Sequence, residues 1–245
     1  MISVFDHVTI RASDREASVR FYDTVLPVLG IENVYSDEWF TEWDDFSFSL
    51  AQADGENPVT RRLHSGFSAR SREQVDAFHR TGVEAGYRSD GEPGLRPQYR
   101  DDYYGGFLLD PDGNSVEAVH YAGVSEGGID HLWIRVADVP AAQRFYELVA
   151  AHAGFTLRSA SDDHAQFVGG CRGVTLKEGE PTEGLHIAFP AGENTAVDEF
   201  HAGLTAAGYA DNGAPGERPI YHEGYYGAFV LDPDGTNVEL VNHNR

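Results

Sequence analysis

The chain has 245 residues, of which 41% are hydrophobic and 24% charged. These values are typical of a globular protein with one large domain or two modest ones. The formal net charge of −22 at pH 7 makes the surface repel phosphate backbones and anionic lipids, so we expect no nucleic-acid or membrane partner. We expect neither a membrane span, since no apolar run is long enough, nor a signal segment, and Cys171 is the single cysteine. We therefore expect a cytoplasmic protein.

The first half of the sequence predicts alternating strands and helices. A strand over 4–11 precedes a helix that Ser13 and Asp14 open and Gly30 ends. The order of strands and helices, with short connections, indicates an α+β fold that carries its helices on one face of a sheet. The other predicted elements of this half are strands at 39–43, 46–50 and 63–69, a helix at 72–85, and, after a long Gly/Pro-rich loop, strands at 103–109 and 115–121.

The second half of the sequence repeats the first. His7 recurs as His131, an offset of 124 residues, and Glu117 recurs as Glu239, an offset of 122. Only a small change in length therefore falls between the two pairs. We predict two tandem repeats, 1–123 and 124–245, which meet in a short linker near 122–128. Each repeat is predicted to contain two βαβββ units, which makes four in the chain.

Two histidines and one glutamate of each half share one face of the predicted sheet. Alternation along the strands points them away from the apolar residues that pack under the helices. A carboxylate buried on a sheet is costly unless it is paired or bound to a metal. Two neutral imidazoles and one carboxylate form a facial arrangement that leaves metal positions open for substrate and, with Fe(II), for oxygen. The predicted ligands are His7, His64 and Glu117 in the first half and His131, His186 and Glu239 in the second.

These histidines, together with two further repeated motifs, are similar to those of the vicinal oxygen chelate superfamily. The motifs are Arg20-Phe21-Tyr22 and the run from Asp232-Pro233-Asp234-Gly235 to Glu239. The superfamily includes glyoxalases, bleomycin- and fosfomycin-resistance proteins and type I extradiol dioxygenases. The resemblance covers nearly the whole chain, twice. It implies curved mixed sheets that form U-shaped clefts with helices outside, and a divalent metal that chelates a small-molecule substrate through adjacent oxygens.

Two departures from that family bear on the reaction. Glyoxalases usually supply a fourth ligand, an acid at the end of the fourth strand, and neither 46–50 nor 174–177 contains one. The chain therefore looks more like the ring-cleaving dioxygenases, and His222 lies about where their catalytic histidine would be. Phe229 stands where those enzymes typically have a tyrosine, and we expect Tyr225 to substitute as a catalytic residue because it has the same strand parity. Fe(II) is the favoured metal, with Zn, Ni or Mn as alternatives.

The two halves also differ near the predicted metal ligands. The first half has Arg100 at the position of His222. An arginine can hold an anionic substrate but cannot move a proton near neutral pH, so we expect the second half to provide the better acid–base catalyst. Tyr103 is a further candidate for substrate binding. Trp39 and Trp43 are predicted to share a face and to form the wall of a site for an aromatic ligand.

Three functions remain open from the sequence. The favoured one is an extradiol-like dioxygenase that acts on a catechol-like substrate, and the first alternative is a glyoxalase-type lyase or isomerase. The second alternative is a resistance protein that binds an antibiotic or another small molecule without turnover. The sequence also leaves open whether His7 shares its metal with His64 and Glu117 or with His186 and Glu239. We expect a monomer or a homodimer.

Overall fold

A computed structural model describes residues 4–44, 47–124 and 127–245. Phe46, which belongs to a predicted strand, and Ser125 and Glu126 of the predicted linker lie outside the described residues. The elements of the first repeat are β1 (His7–Ala12), α1 (Arg15–Val25), β2 (Asn33–Ser36), β3 (Phe40–Trp43), β4 (Phe48–Gln52), β5 (His64–Ser68), α2 (Arg72–Glu84), β6 (Ser89–Leu95), β7 (Tyr104–Leu109) and β8 (Ser115–His120).

The second repeat shows the same order of elements, and each repeat therefore contains two βαβββ units. The α+β fold predicted from the sequence is confirmed, with four such units in the chain. The elements of the second repeat are β9 (Ile129–Val136), α3 (Val139–Ala153), β10 (Thr156–Ala160), β11 (His164–Gly169), β12 (Arg172–Glu178), β13 (His186–Pro190), α4 (Asn194–Ala206), β14 (Asp211–Glu217), β15 (Tyr226–Leu231) and β16 (Asn237–Asn242).

The strands form mixed sheets with the orders β14-β15-β16-β13-β1-β4-β3-β2 and β10-β11-β12-β9-β5-β8-β7-β6. The pairs β5–β8 and β13–β16 are parallel. By its contacts the chain divides into a central unit, Thr9–Ile134, and a terminal unit, Met1–Val8 with Arg135–Arg245. Both divisions fall inside a strand, within β1 and within β9, whereas the repeat boundary between 123 and 124 stays a prediction from the sequence.

The helices begin where the sequence predicts them. The side chain of Asp14 accepts a hydrogen bond of 3.0 Å from the backbone N–H of Ala17 at the start of α1, and Asp138 caps α3 in the same way. The α-helix ends earlier than predicted, however. It gives way at Val25 to a short 3-10 helix that contains Pro27, because proline cannot donate the hydrogen bond that the next α-helical turn needs. None of the described helices is both long and apolar enough to span a membrane.

The edge strands β6, β14 and β2 were not predicted from the sequence. The Gly/Pro-rich segment predicted as a loop is strand β6 in the first repeat and β14 in the second. Both pair with one neighbour only and show register shifts against it. Proline and glycine weaken a strand but are tolerated at an edge, where one side of the backbone has no ladder to complete. The short strand β2 is likewise an edge strand that the sequence did not reveal.

The aromatic pair Trp39 and Trp43 does not form a common wall. The Trp43 side chain is fully buried in the core of the central unit against Tyr22 and Phe48, and its ring N–H donates to Asp23 over 2.9 Å. Trp39, by contrast, is 67% exposed and precedes strand β3. The prediction that both line a ligand site is therefore wrong for Trp43, which stabilises the core instead.

Candidate metal centres

Three ligand atoms converge in the central unit. Nε2 of His64 lies 3.0 Å from Oε2 of Glu117 and 3.1 Å from Nε2 of His131, and Nε2 of His131 lies 3.3 Å from the same carboxylate oxygen. We call these residues the central site. Glu117 is 1% exposed, so the negative charge has been taken out of water and needs cationic partners.

Strand register brings these side chains together around Gly66. On β5, Gly66 pairs with Glu117 of β8 on one side and with His131 of β9 on the other. A Cβ atom at Gly66 would overlap the imidazole of His131. The missing side chain therefore leaves the space that the ring occupies, while His64 lies two residues earlier on the same strand and reaches the same point.

The second ring nitrogen of each histidine in the central site is held by a polar side chain. Nδ1 of His131 lies 2.9 Å from a carboxylate oxygen of Asp130, and Nδ1 of His64 lies 3.1 Å from the hydroxyl of Ser115. The other oxygen of Asp130 accepts a hydrogen bond of 2.7 Å from Tyr121. A proton on Nδ1 leaves the lone pair of Nε2 free, which is the arrangement found around metal-binding histidines.

The terminal unit contains a corresponding set, which we call the terminal site. Nε2 of His7 lies 3.1 Å from Nε2 of His186 and 3.6 Å from Oε2 of Glu239, and Nε2 of His186 lies 3.2 Å from that oxygen. Nδ1 of His7 lies 2.8 Å from Asp6, while Nδ1 of His186 contacts the side-chain amide of Asn237. Within each site all candidate ligand atoms lie within 4.8 Å of one another.

The two sites exchange ligands between the repeats. His7 belongs to the first repeat but joins His186 and Glu239 of the second, and His131 belongs to the second repeat but joins His64 and Glu117 of the first. Of the two groupings that the sequence left open, the exchanged one is therefore the one in which the side chains converge.

A tyrosine donates to the glutamate of each site, but to different oxygens. Tyr103 donates to Oε2 of Glu117 over 3.0 Å, so Oε1 of Glu117 is buried without a hydrogen-bond partner. Tyr225 donates to Oε1 of Glu239 over 2.6 Å and leaves Oε2 to the histidines. Burial, followed by the neighbouring carboxylate, raises the pKa of both tyrosines well above its usual value. Both hydroxyls therefore remain protonated donors.

The charges of the central site stabilise one another. Burial by itself would raise the pKa of Glu117, but hydrogen bonds from His131 and His64 outweigh it and lower this pKa to about 2. Burial by itself would lower the pKa of His131, but its bonds to Asp130 and Glu117 raise this pKa to about 10. In the absence of a metal, the central site thus holds a proton on His131 at neutral pH.

The terminal site differs from the central site in the pKa shift of one of its candidate ligands, His186. Burial is the largest influence on His186 and lowers its pKa, so this imidazole is neutral at neutral pH. Burial alone would raise the pKa of Asp6, but hydrogen bonds from His243 and His7 hold it well below its usual range. Asp6 is therefore an ionised acceptor between the two imidazoles.

The residues present fit a divalent metal at each site. Two imidazole nitrogens only 3.1 Å apart direct their lone pairs at one another unless a proton or a cation lies between them. The buried, unpartnered Oε1 of Glu117 points to the same conclusion, since a carboxylate oxygen at such a position needs a cation or a donor. A metal in the central site would be held by His64, Glu117 and His131, and one in the terminal site by His7, His186 and Glu239.

A cavity of about 280 Å³ adjoins the central site. His64 and Glu117 line it together with an aromatic wall of Tyr99, Phe107 and Trp133. The Trp133 ring centroid lies 5.4 Å from those of His64 and Tyr99. Trp133 was not singled out from the sequence, although its position two residues after the repeated histidine puts it on the same face of β9.

Arg100 and His222 are both engaged within the protein. The guanidinium of Arg100 pairs with Asp102 over 2.5 Å, donates to the carbonyl of Ala122 and stacks over Tyr121. The imidazole of His222 contacts the Glu223 carbonyl and His243, and it reaches His7 only through intervening side chains. The roles predicted for both residues, substrate binding and acid–base catalysis, stay predictions.

Comparison with known proteins supports the fold and identifies the family. The family model of the Glyoxalase/Bleomycin resistance protein/Dioxygenase superfamily matches residues 4–118 and again residues 128–240. The chain belongs to this superfamily. Members of the superfamily are metal-dependent and mostly enzymes, while some are resistance proteins. No curated protein matches the sequence.

Several solved structures of the superfamily resemble the chain. Glyoxalase I from Zea mays is 18% identical with a TM-score of 0.71, and the match covers 98% of this chain and 92% of that one. A glyoxalase/bleomycin resistance protein from Albidiferax ferrireducens T118 is 33% identical over 49% of this chain and 100% of that one, with a TM-score of 0.43. The Mn(II)-bound glyoxalase from Novosphingobium aromaticivorans is 19% identical over 98% and 82%, with a TM-score of 0.44. The likeness to the Zea mays protein shows the fold alone.

Proposed function

We propose that this protein is a divalent-metal-dependent enzyme, an extradiol-like dioxygenase that acts on a small, catechol-like substrate with adjacent oxygens. The observation that carries the proposal is the convergence of two imidazoles and one carboxylate in each site, within 4.8 Å. Bound by such a set, a divalent ion keeps positions free for substrate oxygens and polarises them as a Lewis acid. Fe(II) is the metal we favour, because the open positions also suit oxygen.

The surrounding residues orient the ligands in this proposal. Asp130 and Asp6 hold Nδ1 of His131 and of His7, which fixes the rings and raises their basicity. Tyr225 restrains the carboxylate of Glu239 so that one oxygen remains directed at the histidines. Such preorganisation lowers the cost of ordering the site when a metal and a substrate bind.

The cavity beside the central site favours a flat aromatic substrate. Trp133, Tyr99 and Phe107 offer ring faces and edges that stack against an aromatic ring. The same walls exclude water from one side of the ligand atoms, which strengthens their electrostatic interactions. Arg96, which also lines the cavity, can attract a substrate that carries negative charge.

A glyoxalase-type lyase or isomerase is the first alternative. The fourth acid expected of such a site is missing from both groups of candidate ligands among the described residues, which weighs against it. A resistance protein that only binds its ligand is the second alternative. The duplicated ligand sets weigh against that function, because sequestration of a drug does not require them.

Metal analysis and oxygen uptake distinguish these functions. The protein is purified without oxygen, its metal content is measured, and the metal-free form is reloaded separately with Fe(II), Mn(II), Ni(II) and Zn(II). Consumption of oxygen by the Fe(II) form with a panel of catechols, and incorporation of both atoms of labelled dioxygen into the product, would support the dioxygenase. The double variant His186→Ala/His64→Ala, which lacks one ligand in each site, is the matched control and should be inactive.

Other outcomes would contradict the proposal. Turnover of an α-oxoaldehyde–thiol adduct by the Ni(II) or Zn(II) form without oxygen consumption would establish the lyase or isomerase. Tight binding of an aromatic drug by protein that retains no metal would establish the binding protein. Failure of both sites to take up any of the four metals would remove the basis for an enzyme.

A further inference from the structure

A continuous chain of side chains links the terminal site to the protein surface. Nδ1 of His7 lies 2.8 Å from Oδ1 of Asp6, and Oδ2 of Asp6 lies 2.8 Å from Nε2 of His243. Nδ1 of His243 lies 2.7 Å from Nε2 of His222, whose Nδ1 lies 2.7 Å from the carbonyl oxygen of Glu223. Three of these contacts join a candidate metal ligand to a half-buried histidine on the loop before β15, and the fourth holds that histidine against the backbone.

The contacts of the two outer imidazoles require three ring protons. The carbonyl of Glu223 and the carboxylate of Asp6 only accept, so Nδ1 of His222 and Nε2 of His243 must each carry a proton. The 2.7 Å contact between the two rings needs one more. Two neutral imidazoles supply two protons in total, and the pair therefore satisfies all of its contacts only with one additional proton and one positive charge.

The central site satisfies the corresponding aspartate differently. Tyr121 stands at the repeat position of His243 and donates to Asp130 over 2.7 Å. Arg100 stands at the position of His222, and its guanidinium lies over the Tyr121 ring at 4.9 Å from the centroid. Both arrangements place a donor against the aspartate, but the group behind that donor is a permanently charged guanidinium in the central site and a second imidazole in the terminal site.

We propose that His243 is a positioning residue of the terminal site, which holds Asp6 against His7 and shares one additional proton with His222. The pair acts on His7 through Asp6, and neither of its imidazoles belongs to the groups of candidate metal ligands. Its effect on metal binding rests on the proposed function, whereas the shared proton is a property of the metal-free protein.

The groups that face the pair set the conditions for its charge. Asp6 faces it from the segment before β1, and Tyr225 faces both rings edge-on from the segment before β15, with centroids 5.3 Å away. The pair itself is stacked, with ring planes 20° apart. Among the described residues, Asp6 is the ionised group that accepts a hydrogen bond from the pair, so its negative charge lies directly beside the ring of His243.

Metal affinity tests the positioning role. The central site is disabled with His64→Ala, and Mn(II) binding to the terminal site is then measured by calorimetry for His243→Phe and His243→Tyr. We expect His243→Phe to lower the affinity about 10- to 100-fold, as loss of a partner behind a metal ligand typically does. His243→Tyr introduces at Asp6 the kind of hydroxyl donor that Tyr121 provides to Asp130, and it should keep the affinity within about three-fold. Equal affinities of His243→Phe and the parent would overturn the positioning role.

A matched experiment uses the other site. With the terminal site disabled by His186→Ala, the Tyr121→Phe variant should lower Mn(II) affinity of the central site by a similar factor, because it removes the donor to Asp130. If His243→Phe and His243→Tyr weaken the terminal site equally, the histidine acts by its shape and not by its hydrogen bond, and the proposal fails.

Nitrogen NMR of the metal-free protein tests the shared proton. In the ¹⁵N-labelled parent near neutral pH, one proton should exchange rapidly between His222 and His243. Their averaged ¹⁵N shifts should therefore correspond to one imidazolium and one neutral ring, and His222→Gln is used for assignment. In His243→Tyr the contact between the two rings no longer exists, so the exchange-averaged signal of the pair should be lost. Two neutral rings in the parent while Asp6 is ionised would refute the shared proton. This readout needs no metal, so it stands even if neither site binds one and the proposed function fails.

Discussion

The hydroxyl of Tyr225 donates a hydrogen bond of 2.6 Å to Oε1 of Glu239, the carboxylate oxygen that faces away from the histidines. In the central site the corresponding Tyr103 donates to Oε2 of Glu117, the oxygen that the histidines also contact. The first arrangement leaves a ligand oxygen available, and the second occupies it. The two tyrosines should therefore affect metal binding in opposite directions.

The variant Tyr225→Phe should weaken metal binding at the terminal site. It leaves Oε1 of Glu239 buried without a donor, and a lost hydrogen bond to a charged group costs about 1.5–3 kcal/mol, equivalent to roughly 10- to 150-fold in affinity. Calorimetry with Mn(II) on a background of His64→Ala measures the change. Tyr103→Phe on a background of His186→Ala is the counterpart and should leave the affinity of the central site unchanged or raise it. A loss of similar size in both would contradict this interpretation of the carboxylate oxygens.

A methyl group at Gly227 should displace the carboxylate of Glu239. A Cβ atom there would lie 2.5 Å from Oε1 of Glu239 and 3.2 Å from the Tyr225 ring, too close for either to remain in place. We expect Gly227→Ala to abolish detectable metal binding at the terminal site while the central site still binds. Gly203→Ala in helix α4, where a Cβ atom meets nothing within 4 Å, is the control and should raise the unfolding free energy by up to about 1 kcal/mol.

Loss of His7 should affect the same site as loss of His186. Both lie in the terminal site although they belong to different repeats, so His7→Ala should leave one metal per chain, bound by the central site. His131→Ala should likewise leave only the terminal site. Metal stoichiometry by mass spectrometry, combined with paired variants, measures this. If His7→Ala and His64→Ala together leave one intact site, the ligands are not exchanged.

Metal binding at the central site should weaken as the pH falls. The pKa of His131 is raised to about 10, so below that pH the metal must displace a proton, and the apparent affinity should decrease about ten-fold per pH unit. Burial lowers the pKa of His186 in the terminal site, and we expect a shallower dependence there. Titrations of the two single-site variants across this range measure the slopes, and equal slopes would contradict the assignment of the proton to His131.

The raised pKa of His131 has the opposite effect on the pH dependence of stability: it stabilises the metal-free protein more at low pH than at high pH. A raised pKa on a histidine stabilises the folded state fully below the ordinary value of 6.5, and this contribution is lost as the pH rises towards about 10. Denaturant unfolding of the metal-free protein at several pH values in this window should show that the contribution disappears in His131→Ala.

The three tryptophans should separate by their effects on stability and fluorescence. Trp43→Ala should lower the unfolding free energy by about 3–5 kcal/mol, because the side chain is fully buried. Trp39→Ala should change it by less than about 0.5 kcal/mol, because that side chain is 67% exposed. Trp133 lies beside His64, so metal binding to the central site should change its emission, and Trp133→Phe should remove that response.

Much of the fold could be predicted because local and periodic signals agree with the tertiary structure. Asp14 caps its helix as its side chain predicts, and the six candidate ligands predicted from alternation along the strands converge in two groups of three. The edge strands β6 and β14 could not be recognised, because their glycines and prolines resemble a loop and only pairing with a neighbour makes them strands. The grouping of the ligands could not be decided either, since strand order is a property of the whole sheet.

The residues behind the ligands were missed for a related reason. Asp6 and Asp130 were visible as part of a repeated motif, yet nothing in their spacing shows that each orients the following histidine. Tyr121 and His243 differ in type between the repeats, so a search for identical duplicated residues passes over them.

The exchange of β1 and β9 bears on how such a chain arises. An isolated copy of either repeat carries an unmatched histidine at its first strand and two ligands that lack their third. Two identical copies could complete both sets by lending each other that strand, whereas one copy alone could not. A gene for a single repeat would thus encode a protein that needs a second copy of itself to complete its metal sites. Fusion of two such genes would have joined the two copies covalently and allowed their sequences to diverge.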